Sequence, residues 1–111
     1  MEKMKYYASH FLWHAGQNRL FRMQRIGVDE GSGCCVSVEP LEAEMRHTVW
    51  LGGLVILASS QPEIRTGESF QAFCSRISER VEAGEPLKAF QVVAFDVLSM
   101  AFTAGSRLVS L

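Results

Sequence analysis

KYYASHFLWHAGQNRLFRMQRIGVDEGSGCCVSVEPL, residues 5–41, holds three runs of strand-forming residues separated by two sets of turn formers. Lys5–Ala15 is rich in aromatic residues and stops at Gly16-Gln17-Asn18, where glycine and asparagine tolerate turn backbone. Arg19–Glu30 alternates, with Leu20, Arg22, Gln24 and Ile26 on one face and Phe21, Met23 and Val28 interleaved. The alternation slips at Arg25–Gly27, so a bulge is expected there. Asp29–Gly33 is turn chemistry. CCVSVEPL then reads as a strand ending at Pro40, because proline cannot donate to a central ladder. Strand, turn, strand, turn, strand makes a β-meander.

Outward from the meander, Leu41–His47 is a polar connection with room for one helical turn. Val49, Trp50, Leu51, Leu54, Val55, Ile56 and Leu57 follow as a strand buried on both faces. Gly52-Gly53 marks a kink, a bulge or a tight turn within it. The clearest helix runs from Gly67 to Ala83. Thr66 is its expected N-cap and Glu68 sits in its first turn; Phe70, Phe73, Cys74, Ile77 and Val81 make its apolar stripe. Gly84 and Pro86 stop it. Ala89–Phe102 fits both periods. Leu87, Phe90, Val93, Val97 and Met100 have helical spacing, whereas the β-branched and aromatic content favours strand. SRLVSL closes the chain with strand-like alternation. The expected fold is α+β, mostly β: a single domain over 1–111, built as a small β-sandwich or partly closed antiparallel sheet packed by one long helix.

Composition narrows the function classes. The 111 residues are enough to bury a core without metal or disulfide staples. With 11 basic and 12 acidic residues the net charge is −1, so no cationic surplus marks nucleic acid as the partner. Arg19, Arg22 and Arg25 lie close together, and a solvated strand face or turn accounts for them. The apolar run Val49–Ala58 is too short to span a bilayer, and Ser9, His10 and His14 interrupt the N-terminal apolar run that a secretory signal needs. Three cysteines, two of them adjacent, make no disulfide framework, so a cytoplasmic setting is expected.

The motif HFLWH spaces His10 and His14 as a helical zinc site would. On a strand, however, residues four apart lie roughly 13 Å from one another, too far to share an ion. Phe11 also stands where the zinc-protease motif requires glutamate. Cys34 and Cys35 point to opposite faces of a strand, so they cannot chelate together and are expected to pack as small hydrophobes. His47 lies near Glu42, Glu44 and Arg46, a cluster that suits acid–base work only in a cleft. Asp96, within an apolar run, is expected on a solvent face or paired with Arg107. Neither a phosphate loop nor a nucleophile elbow is present, and no catalytic, metal or cofactor residue is assigned.

The order of YYASHFLWHAGQ, MQRIGVDEGSGCCVSVEPLEAE and HTVWLGGLVILAS resembles the N-terminal portion of the amidohydrolase superfamily over about Tyr6–Ala58. The resemblance implies the small β-sandwich, or composite domain, that flanks the catalytic barrel there. The family's strand leads into a His-x-His metal motif, whereas His47 is the last histidine here and the remaining chain cannot form a (β/α)₈ barrel. The reading is therefore a non-catalytic β-rich interaction or assembly module, not an enzyme by itself, with a homodimer or protein partner. Tyr7, Phe11, Trp13 and Trp50 are its candidate interface. The alternative is a small-ligand-binding or minor catalytic protein whose pocket between helix and sheet gathers Asp96, His47 and His10.

Overall fold

The computed structural model describes residues 3–42, 47–82 and 84–111. They form seven strands and one helix: β1 (Met4–His14), β2 (Arg19–Asp29), β3 (Cys35–Pro40), β4 (Thr48–Trp50), β5 (Leu54–Ala58), α1 (Phe70–Ser78), β6 (Lys88–Asp96) and β7 (Ala101–Ser110). One sheet holds every strand in the order β3-β2-β1-β5-β6-β7, with β4 also paired to β1. The fold is mostly β with one packed helix, as expected. The sheet curls without closing. The meander is present, and the polar connection at Leu41–His47 falls largely outside the described residues.

The β1–β2 hairpin turns at Ala15–Asn18, where Asn18 takes φ 46°. Asp29 organises the next turn, its carboxylate accepting from the Gly31 N–H and the Ser32 hydroxyl. The simple alternation expected for β2 is corrected by the structure. Tyr7 and Leu12 pack on the same cluster although they lie five positions apart, an odd step that should put them on opposite faces, and so do Phe21 and Ile26. The reversal falls where His10 stands level with Met23, and Met23 adopts φ 50°. Leu20 and Arg22 are consequently exposed while Ile26 is buried. The β2–β3 register does shift at Gly27/Val28, but one step along β2 matches two along β3. The extra residue is therefore Val36 of β3 and not a β2 residue within Arg25–Gly27 as expected.

β4 and β5 run along one flank of β1 as a single interrupted strand, parallel to it. Val49 stands opposite Tyr7 and Leu54 opposite Phe11. Five steps on one side therefore match four on the other, and the surplus residue is absorbed at Gly52-Gly53. Both glycines take left-handed backbone, φ 64° and 51°, which a side chain would disfavour. All of β5 is buried, as its continuous apolar run predicts, whereas Val49 and Trp50 of β4 are exposed.

The alternate residues of β5 reach two cores. Leu54, Ile56 and Ala58 join Trp13, Phe90 and Val92 beneath Phe73, Cys74 and Ile77 of α1. Phe70, Phe73, Phe95 and Phe102 extend that layer in edge-on contacts of 5.1–6.0 Å between ring centres. Val55 and Leu57 face the other way, with Leu12, Ile26, Val28 and Ala89, into the hollow of the curl. The start of β3 reaches the start of β6 there: Cys34 bridges Lys88, and the Cys35 N–H donates to the Leu87 carbonyl at 2.7 Å.

The helix is shorter than its apolar stripe suggests. Ser69, not Thr66, is the N-cap, accepting from the Ala72 N–H at 3.1 Å. Gly67 at φ 76° cannot belong to the helix, and Glu68 precedes the cap, held by a two-pronged bond from Arg76 at 2.7 and 2.9 Å. Past Ser78 the chain tightens into i→i+3 bonds at Arg80 and Val81, although Val81 still packs on the core. Ala89–Phe102 is strand at both ends, but a turn at residues 97–100 divides it. Opposite Ala94 (φ 60°), β7 bulges outward over Thr103–Ser106, and both hydroxyls donate to the Ala94 carbonyl.

Candidate functional site

The sequence candidates sit in separate surroundings. His10 stands edge-on to the exposed Trp50, 4.8 Å between ring centres. His47 lies in the turn before β4 with φ 55°. Asp96 does not pair with Arg107. It builds the β6–β7 turn instead, its carboxylate accepting from the Leu98 and Ser99 N–H groups and the Ser99 hydroxyl. Those bonds hold its carboxyl below the ordinary range. None of the three lines either concavity described below.

The interface candidates divide. Trp13, only 2% exposed, is a core residue lodged against Phe73, and it is withdrawn as an interface residue. Its position on the helix-covered face, opposite Leu20, puts it inside rather than outside. Phe11 and Tyr7 are half-buried, one in each core. Trp50 remains 49% exposed. The three arginines each lie over a ring: Arg19 over Phe21 at 4.9 Å, Arg22 over Phe11 at 5.6 Å, and Arg25 over Tyr6 at 3.9 Å. Arg25 also pairs with Glu39 and donates to Thr48. These cations seal aromatic edges of the sheet.

A different constellation gathers where β3 leaves β6. Beyond the Cys34–Lys88 bridge the two strands diverge, and the gap is a recess of 260 Å³. Leu57 and Leu87 line it from the hollow, Pro86 from the connecting loop, and Val36 and Val38 from β3. The two valines are 59% and 41% exposed on a strand that pairs only with β2 along this stretch. Polar groups edge the recess: His14, Ser37 and Glu85.

The chemistry of those groups favours binding over catalysis. His14 accepts the Gln17 N–H at Nδ1, 3.1 Å, and burial pushes its pKa down, so near neutral pH the ring is uncharged. Burial pushes the Cys35 thiol up to about 11, and its S–H donates to the Ser37 carbonyl. A thiol held protonated is a poor nucleophile. Glu85 is engaged with the Glu82 N–H. Apolar walls with a few fixed polar groups suit an apolar side chain or small hydrophobe.

The larger concavity, 540 Å³, lies between residues 64–68 and the β7 bulge at 102–106. It is nearest to the expected pocket between helix and sheet. Three of its polar side chains are already engaged, Glu68 with Arg76, and Thr103 and Ser106 with the Ala94 carbonyl, while Arg65 and Thr66 also line it. Its Thr103 and Ser106 hydroxyls brace the bulge.

No family model matches the chain, and neither a curated protein nor a solved structure matches it. The likeness to the amidohydrolase β domain therefore rests on the residues alone. Sequence reading missed Val36, Val38 and His14 as site residues. The signal was present in CVSVEP, where a proline-ended strand marks an edge. Nothing in the sequence, however, placed Leu57 and Leu87 beneath it.

Proposed function

We propose that this chain is a non-catalytic assembly module of the cytoplasm that docks an extended protein segment along β3, with an apolar side chain in the adjoining recess. This is strand addition: backbone hydrogen bonds supply affinity, and a pocket for alternate side chains supplies selectivity. One observation carries the reading. An open strand edge, two exposed valines and an apolar recess coincide at β3. The opposite edge is protected. β7 bulges at Thr103–Ser106, and Gln61 donates to the Leu108 carbonyl.

A second copy of the chain is one partner of the required kind, as the surplus of large apolar residues suggested. The β domain implied by the amidohydrolase likeness agrees with a role in assembly, and the protonated Cys35 supports leaving catalysis out. The test is a displayed library of random hexapeptides panned on the immobilised chain and on a Val38→Pro variant. Enrichment of alternately apolar peptides that lose binding to the variant is expected. No enrichment, or equal binding to both, contradicts β3 as a docking edge.

A further inference from the structure

Resting on that reading, we infer that the strand docked on β3 is β3 of a second copy, antiparallel, with a two-fold axis passing between the Val38 residues. The Leu41 N–H donates to the Met23 carbonyl at 2.9 Å, in register with the pairs Gln24–Pro40 and Arg25–Glu39. Residues 41 and 23 are therefore a hydrogen-bonded pair. Because such pairs alternate along antiparallel strands, Glu39 and Ser37 also direct their backbone groups toward β2. Val38 and Pro40 direct theirs away from the sheet. Proline has no N–H to offer. At the other end the Cys35 N–H is already taken by Leu87. Among residues 37–40, Val38 is the one that offers both an outward N–H and an outward C=O.

That pattern selects one symmetric register. With the axis at Val38, each Val38 N–H donates to the Val38 carbonyl of the other copy. An axis at residue 39 would let Val38 donate to the Pro40 carbonyl of the other copy but would set two Glu39 carboxylates opposite one another. One at residue 36 or 37 would need outward groups from Val36, the unpaired residue at the β2–β3 register shift. An axis at residue 40 would oppose two prolines without donors, and one at residue 35 would displace the Cys35–Leu87 bond.

The side chains agree with the same register. Val38 shares its face with Ile26, its partner in the ladder, so the two copies of Val38 meet on the recess side. Pro40 of each copy comes opposite Val36 of the other, carrying apolar surface over Leu57 and Leu87. The charges fit as well. Glu39 comes opposite Ser37 of the second copy, never opposite another carboxylate, and Arg25 already neutralises it.

Solution mass measured by light scattering from micromolar to millimolar concentration reads the dimer directly. Val38→Pro removes a donor that its own fold does not use, and Val38→Lys sets two ammonium groups face to face. Each should raise the dimer Kd about 30-fold or more, the equivalent of losing two ordinary hydrogen bonds. Val109→Lys on β7 should leave it unchanged. Circular dichroism and thermal melting confirm that every variant folds. The register has its own readout: Val38→Lys and Val38→Glu chains, each weakened alone, should recover a heterodimer when mixed. A dimer that survives Val38→Pro, or a mixture that fails to recover, overturns the register and moves the interface away from β3. A chain that stays monomeric to millimolar concentration overturns the second copy as occupant, and the peptide panning then decides separately whether β3 docks anything.

Discussion

Replacing Gly27 by alanine loads the junction on which β3 rests. Gly27 is buried in β2, opposite Ser37, at the step where the register shifts. A Cβ there would lie 2.5 Å from Ser37 Oγ, 2.9 Å from Met4 Cε and 3.1 Å from Tyr6 Cε1. The Met4 methyl ends a flexible chain and can move at little cost. Ser37 cannot yield without rotating its hydroxyl or shifting β3. Overpacking of this kind costs about 1–3 kcal/mol. Alanine also restricts the unfolded chain, which returns about 0.4–1 kcal/mol. The expected net loss is about 1 kcal/mol, a fall in Tm of about 4 °C for a domain of this size. Urea denaturation, read as a change in midpoint at constant slope, measures it. In a Ser37→Ala background the shortest contact is absent, so the loss should shrink by about half, giving a coupling energy of about 0.5 kcal/mol or more. Equal losses in both backgrounds, or an alanine that stabilises the wild type, would mean that Ser37 does not lie on Gly27 and that β3 is misplaced.

Further outcomes follow from the titrating groups. Burial lowers the His14 pKa, so the unfolded chain takes up the proton first, and stability should fall as pH drops below the ordinary histidine value of 6.5; a His14→Gln variant should flatten urea midpoints between neutral and mildly acidic pH. Glu68 is held below its ordinary 4.5 chiefly by the Arg76 hydrogen bonds, so its contribution is present above that pH and is lost as pH falls through the lowered value. Acid unfolding of Glu68→Gln should lack this component, and an unchanged acid limb would refute the ion pair. Burial raises the Cys35 and Cys74 thiols to about 11 and about 12, so both should label slowly with a maleimide at neutral pH, and mass spectrometry should find all three cysteines modified quickly only after denaturation.

The strands were legible because their residues carry local signals. Gly16-Gln17-Asn18 and Asp29–Gly33 are turn chemistry wherever they occur, and β5 reads as buried because both of its faces are apolar. The helix was overextended because Val81 continues the apolar period although the chain has left the helix, and because Thr66 and Ser69 are equally good caps by composition. The facing of β2 escaped because a single left-handed residue, Met23, reverses alternation without any glycine to announce it. The turn after Asp96 was hidden by its apolar neighbours Val97, Leu98 and Met100, while the carboxylate that makes the turn reads from the sequence as a solvent-facing group or a partner of Arg107. The recess escaped for a different reason. It joins Val36 and Val38 to Leu57 and Leu87, and only the curl of the sheet brings β3 back to the start of β6.

The central claim is that the outward backbone of Val38 is a free docking edge. Residue-resolved amide exchange, followed by NMR in dilute and in concentrated protein, tests it most directly. In dilute protein the Val38 amide should exchange fast between protected neighbours at Ser37 and Glu39. In concentrated protein it should become protected along with them. A Val38 amide protected at every dilution, or one that still exchanges fast when the chain has associated, would contradict the account.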